Sequence, residues 1–190
     1  MLELLAFVVS LAYAWLLIKE RRVGWLLCIA SGLLYIVIYA QAKLYSDAEL
    51  QLLYIAIGIY GYISWSNKKD SEVPVIHWAS PTVFLVCIGV VVVMTIIWGG
   101  LHSWFTDASF PYLDALLAST CIVAQWMMAR KYFQNWYLWI FANIGYLWMY
   151  VNKELVTTTV LYIIYFAVTI NGYLKWKRSL YLMPANNTIG

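Results

Sequence analysis

Apolar residues gather into seven runs along the chain, about Leu2–Ile18, Gly24–Ala42, Asp47–Trp65, Pro81–Leu101, Tyr112–Ala129, Trp136–Val151 and Leu155–Trp176. Short stretches rich in charge, Asn or Pro separate them. Each run is close to the length that crosses a hydrocarbon core of about 30 Å as a helix. The pattern predicts an all-α integral membrane protein with seven transmembrane helices and almost no soluble part.

Composition excludes the alternative of a greasy soluble bundle. With 64% hydrophobic and 11% charged residues, and a mean hydropathy of +0.75, too little polar surface exists to cover a globule. "AYA" at Ala12–Ala14 resembles a signal-peptidase site, but Glu3 stands where a basic n-region belongs and "KERR" follows the run. The first run is therefore expected to be an uncleaved span. Ten of the twelve Lys and Arg fall on one side of the predicted membrane, with only Lys43 and Lys153 on the other. By the positive-inside rule the N-terminus is outside and the C-terminus cytoplasmic. The net charge of +3 is thus a topology signal, and no nucleic-acid partner is expected. Cys28, Cys87 and Cys121 lie in separate spans without CxxC spacing, and His77 and His102 are expected in loops on opposite sides. Neither a disulfide framework nor a metal site is predicted, and no cofactor.

Compared with itself at an offset of 111, the chain aligns residues 2–65 with 113–176 without a gap, and 16 of 64 positions are identical. Trp15/Trp126, Trp25/Trp136, Trp65/Trp176, Gly61/Gly172, Tyr35/Tyr146, Tyr39/Tyr150 and Tyr54/Tyr165 all coincide. Shared greasiness would pair Leu with Ile but would not bring tryptophans into one register. Corresponding helices are four spans apart, so the halves insert in the same direction, giving a parallel three-plus-one-plus-three repeat. The predicted divisions are 1–65 for the first repeat, 66–111 for a cytoplasmic linker with the fourth helix, 112–178 for the second repeat, and 179–190 for a disordered tail.

The sixth run, "NWYLWIFANIGYLWMY", holds one amide among rings. On a helix Trp136, Trp139, Asn143, Tyr146 and Tyr150 form one face. Trp136 and Tyr150 lie near opposite ends and suit an interfacial aromatic belt. Asn143 sits mid-span, where an unpaired amide is costly, so it must bond another helix or a ligand. The matching face of the second span is Trp25, Cys28, Gly32, Tyr35 and Tyr39. If the two faces oppose each other they leave room for a flat guest; alternatively Gly32 serves close helix packing. Gln125, beside Trp126, and Thr169, four residues after Tyr165, are further candidates. Ser31, Gln51, Ser119, Thr120 and Asn171 are expected to form interhelical or own-helix hydrogen bonds.

No Asp, Glu, Lys, Arg or His lies deep in a predicted span. Proton-coupled carriers keep an ionisable group there, and a phosphate site wants Arg or Lys. Aromatic rings without acids suit a neutral or singly cationic flat ligand. A membrane enzyme would need a nucleophile–base pair or metal cluster at one depth, and none is visible. A sugar carrier would want more amide and hydroxyl pairs.

The spacing Trp136-x2-Trp139-x3-Asn143-x6-Tyr150 resembles the signature of the Pnu (pyridine nucleotide uptake) family of bacterial vitamin transporters. "LYIIYFAVTINGYLKWK", closing on G-Y-x-x-W, resembles that family's last helix. The resemblance implies an enlarged relative of the sweet-type sugar-transporter fold in the bacterial inner membrane. It implies facilitated diffusion of an unphosphorylated B-vitamin compound, with a cytoplasmic kinase trapping the product. Trp136, Trp139, Asn143 and Tyr150 become the expected substrate-binding positions, with Tyr146, Gln125, Tyr165, Thr169, Tyr35 and Tyr39 as neighbours. Thiamine is the vitamin expected, because the chain lacks the terminal extension associated with many nicotinamide riboside carriers. Nicotinamide riboside is the alternative, then riboflavin. A homo-oligomer is compatible with the sequence.

Overall fold

The computed structural model describes residues 2–41, 45–66, 75–105, 110–154 and 156–182, with side chains for all of these but 45–49 and 157. Among them are seven helices and no β-strand: α1 (Leu2–Ile18), α2 (Val23–Gln41), α3 (Tyr45–Ser66), α4 (Pro81–Phe105), α5 (Pro111–Ala129), α6 (Asn135–Asn152) and α7 (Val156–Leu182). The predicted runs mark all seven. Two expectations change at the ends. Helix α4 continues past Leu101, so His102 lies in its last turn and not in a loop. Helix α7 runs to Leu182, so Ser179–Leu182 are helical and do not belong to a tail. The rest of that tail, 183–190, and the Lys68–Lys69 part of the linker lie outside the described residues.

By length and composition, α2, α4 and α5 are long and apolar enough to cross a membrane, and α1 and Leu50–Ser66 are shorter apolar helices. Helix α4 exposes Leu85, Val86, Val90, Val92, Val93, Ile96 and Ile97, and buries only Cys87, Val91 and Gly99. Such an apolar surface would be unstable in water and is at home in lipid.

The chain forms two compact units. One comprises Met1–Val75 with Met128–Lys131. Here α2 packs on both α1 and α3. Small residues set the spacing: a Cβ on Gly32 would come within 2.7 Å of Ile55, and one on Gly61 would press into the Trp25 indole. Ser10 and Ser31 share a hydrogen bond of 2.7 Å between α1 and α2, as expected for a buried mid-span hydroxyl. Glu20 closes α1 with φ 56°, its N–H bonded to Leu17 O and that of Arg21 to Leu16 O, the pattern of a left-handed helix stop. Lys131 stops α5 in the same way, with φ 56°. Its Nζ lies 2.6 Å from Glu20 Oε2 and 4.6 Å from the centre of the Trp65 ring, whose Nε1 donates to Ala129 O. Burial pushes the Lys131 ammonium below the usual lysine range, and Glu20 opposes that shift. Paired and stacked, the buried cation is tolerated.

The other unit holds Ile76–Met127 and Tyr132–Gly190. Its core joins Cys87 and Val91 of α4, Val123, Ala124 and Met127 of α5, and Leu138 of α6, with Trp126 and Trp139 packed against them. Ahead of α4, the Gln134 side chain both accepts from Ala79 N and donates to Ala79 O at 2.9 Å, tying this segment to the start of α6. Helix α6 then packs along α7.

Candidate substrate-binding site

Asn143 is buried on α6, and its Nδ2 donates to the Trp139 carbonyl at 2.8 Å and to Thr169 Oγ1 of α7 at 3.1 Å. The first bond is the own-helix bond available to any helical Asn; the second spans the two helices. Both amide hydrogens are thereby used. Among the described residues nothing bonds to the amide oxygen, and nothing takes the Thr169 hydroxyl hydrogen. One acceptor and one donor therefore remain side by side at mid-span.

Towards the α6–α7 junction the aromatic residues begin. Tyr146 and Tyr150 stack at 5.8 Å and 11°, and Tyr162 of α7 lies 5.0 Å from the first and 4.9 Å from the second. Tyr165 meets the edge of Tyr162 at 5.7 Å. Asn143, Tyr146, Tyr150, Tyr165 and Thr169 are thus gathered along one α6–α7 seam. Tyr162, which the sequence reading passed over, stands in the middle of the rings. Its position seven residues before Thr169 puts it on the same helix face, and that spacing could have found it. It was hidden because its counterpart in the first half is Gln51, not an aromatic residue.

The other candidates sit differently. Trp139 is partly buried against the α4–α5 core, its Nε1 without a hydrogen-bond partner among the described residues. Trp136, only 3% exposed, is held between Gly172, where a Cβ would overlap its ring, and the Trp176 indole at 5.4 Å and 85°. Trp25 has the same surroundings in the first unit, with Gly61 and with Trp65 at 5.4 Å and 89°. Gln125 is buried within α5. Tyr35 and Tyr39 stack on α2 at 5.6 Å and 24°. Gly32 abuts Ile55, which is the close helix packing offered as its alternative role. Among the remaining mid-span polar residues, Thr120 bonds to Leu116 O of its own helix, and Asn171 is exposed.

An apolar helical surface around a buried, uncharged amide–hydroxyl pair and a run of tyrosines fits a membrane-spanning carrier of a small molecule. Residues 1–178 match the family described as nicotinamide mononucleotide transporter, and the chain belongs to that family of multi-pass membrane transporters. It is 24% identical over 172 residues to the nicotinamide riboside transporter PnuC of Escherichia coli, an overlap of 77% of this chain and 72% of that one. To the nicotinamide riboside transporter PnuC of Neisseria mucosa it is 26% identical over 165 residues, 77% of this chain and 62% of the other. Its fold is that of the crystal structure of the vitamin B3 transporter PnuC, with a TM-score of 0.72 and 22% identity over 93% of this chain and 80% of that one.

Proposed function

We propose that the chain carries nicotinamide riboside, an unphosphorylated pyridine nucleoside, across the bacterial inner membrane by facilitated diffusion. The observation that carries this reading is the Asn143–Thr169 pair, with one free acceptor and one free donor beneath a run of tyrosines. A primary carboxamide on a flat cationic ring presents the complementary donor and acceptor. Its NH2 would donate to the Asn143 oxygen, and its carbonyl would accept from the Thr169 hydroxyl. The aminopyrimidine edge of thiamine offers the same two groups, so the pair alone does not choose between the vitamins. The relatives favour the riboside, because PnuC of Escherichia coli and of Neisseria mucosa are nicotinamide riboside transporters, and thiamine gives way to what was the alternative.

Trp139 and Tyr165 supply stacking surface beside the pair in this reading, Tyr146 and Tyr150 line the seam that leads to it, and Gln125, Tyr35 and Tyr39 are retained as secondary candidates. Trp136 is assigned to holding α6 against α7. Helix α6 carries no charged residue, and the basic residues of α7 are confined to Lys175, Lys177 and Arg178 near its end. Nothing on the seam is therefore suited to a phosphate, which favours the riboside over its mononucleotide. A cytoplasmic kinase would then trap the product. The excess of Lys and Arg on one side supports an external N-terminus and a cytoplasmic C-terminus. The recurrence of the Trp–Gly–Trp contact in both units supports the parallel three-plus-one-plus-three plan.

The test is calorimetric binding of nicotinamide riboside, nicotinamide mononucleotide, thiamine and riboflavin to the purified chain in detergent. Tight binding of the riboside, with the mononucleotide at least tenfold weaker, is expected. Preference for thiamine or riboflavin would overturn the substrate assignment, and preference for the mononucleotide would overturn the argument from missing cations.

A further inference from the structure

The tyrosines on the α6–α7 seam form a contiguous row. Residue numbers of facing positions have a constant sum, Asn143 with Thr169 and Tyr150 with Tyr162, as in two antiparallel helices in fixed register. Seven residues separate the two levels, about 10 Å along a helix. Tyr146 and Tyr165 lie between them. Phe141, Ile144, Trp148 and Val151 make up the exposed, apolar stripe of α6, so the tyrosines occupy a different face from the one presented to lipid.

Leucine or phenylalanine would fill a helix interface in lipid as well as tyrosine does. Four electron-rich rings in a contiguous chain of contacts, with no carboxylate or cation on α6 and one of each, Glu154 and Lys153, in the turn that follows, instead make a surface that attracts a flat monocation through the ring quadrupoles. The first unit repeats the stacked pair as Tyr35 and Tyr39 but has Gln51 where Tyr162 stands, so the additional ring belongs to one half only. We infer that Tyr162, together with Tyr146 and Tyr150, forms a separate station at the α6–α7 end of the span that takes up the substrate's cationic ring before it reaches Asn143 and Thr169. In this role Tyr162 is a specificity-determining residue that selects for positive charge, whereas the amide–hydroxyl pair selects for the carboxamide. The inference rests on the vitamin B3 reading and, for its external placement, on the proposed orientation.

The experiment compares nicotinamide riboside with its reduced dihydropyridine form, which keeps the carboxamide and ribose but has lost the charge. Binding of each is measured to the wild-type chain and to Tyr162→Phe, Tyr162→Leu and Tyr162→Gln, with elution profile and thermal unfolding as checks of folding. Tyr162→Leu and Tyr162→Gln should weaken the cationic form by about twofold to thirtyfold. They should leave the reduced form within about twofold, and Tyr162→Phe should bind both nearly as wild type does. Equal losses for both forms would make Tyr162 a packing residue, and unchanged binding of the cation would remove it from the path; either overturns the inference alone. If Tyr162→Leu fails to fold, Tyr162→Gln, which takes the first unit's residue, gives the same comparison. Wild-type protein that binds neither form would overturn the vitamin B3 reading, and this inference with it.

Discussion

Asn143 shows how one side chain can be read from its position alone. An amide in the middle of an uncharged aromatic helix must find partners, and the sequence predicted that it would bond a second helix or a ligand. It bonds Thr169, one of the residues singled out on α7. The remaining amide oxygen and hydroxyl hydrogen could not be counted from sequence, because that count depends on which bonds the two side chains make to each other. Tyr162 was missed for a related reason: a repeat comparison highlights what two halves share and hides what only one has. Asn143→Ala, or Thr169→Val, should weaken riboside binding by about 1–3 kcal/mol, since a buried group on the ligand is then left unmatched. Combined, the two substitutions should cost less than their sum, because the two side chains bond each other and hold one ligand group between them. Calorimetry on the three variants checks this. Wild-type affinity in both single variants, with folded protein, would take the pair out of the site.

Helices were legible from unbroken apolar runs, and α1 was predicted with both of its ends. The ends of α4 and α7 were not, because His102 and the run of Lys and Arg after Trp176 read as interface although the backbone stays helical through them. The closing G-Y-x-x-W of the last helix is a packing element. Gly172 leaves space for the Trp136 ring, and Trp176, four residues on, meets that ring edge-on. The aromatic face read from α6 therefore divides between packing at Trp136 and the buried, unpaired acceptor and donor at Asn143 and Thr169. Gly172→Ala should destabilise the protein by about 1–3 kcal/mol through overpacking. Gly89→Ala, where a Cβ meets nothing within 4 Å, should be neutral or slightly stabilising, because alanine is the better helix former. Thermal unfolding in detergent distinguishes them, and equal midpoints for the two variants would contradict the packing role of Gly172.

For the whole molecule, what the spans lack matters as much as what they hold. No Asp, Glu, Lys, Arg or His stands on α6 or beside Thr169 on α7 to carry a proton with the substrate. Transport should then follow the substrate's own electrochemical gradient, and the fixed charge of the pyridinium ring makes this visible. An inside-negative potential favours a monocation by about 2.3 kcal/mol per 100 mV, roughly a fiftyfold concentration ratio. The decisive measurement is uptake of labelled nicotinamide riboside into liposomes containing the purified chain, with a potassium diffusion potential imposed and no proton or sodium gradient. Accumulation that rises with the inside-negative potential and collapses when the potential is dissipated is the expected result. Uptake that ignores the potential but runs uphill on an imposed proton or sodium gradient, or no uptake of the riboside at all, would contradict the account.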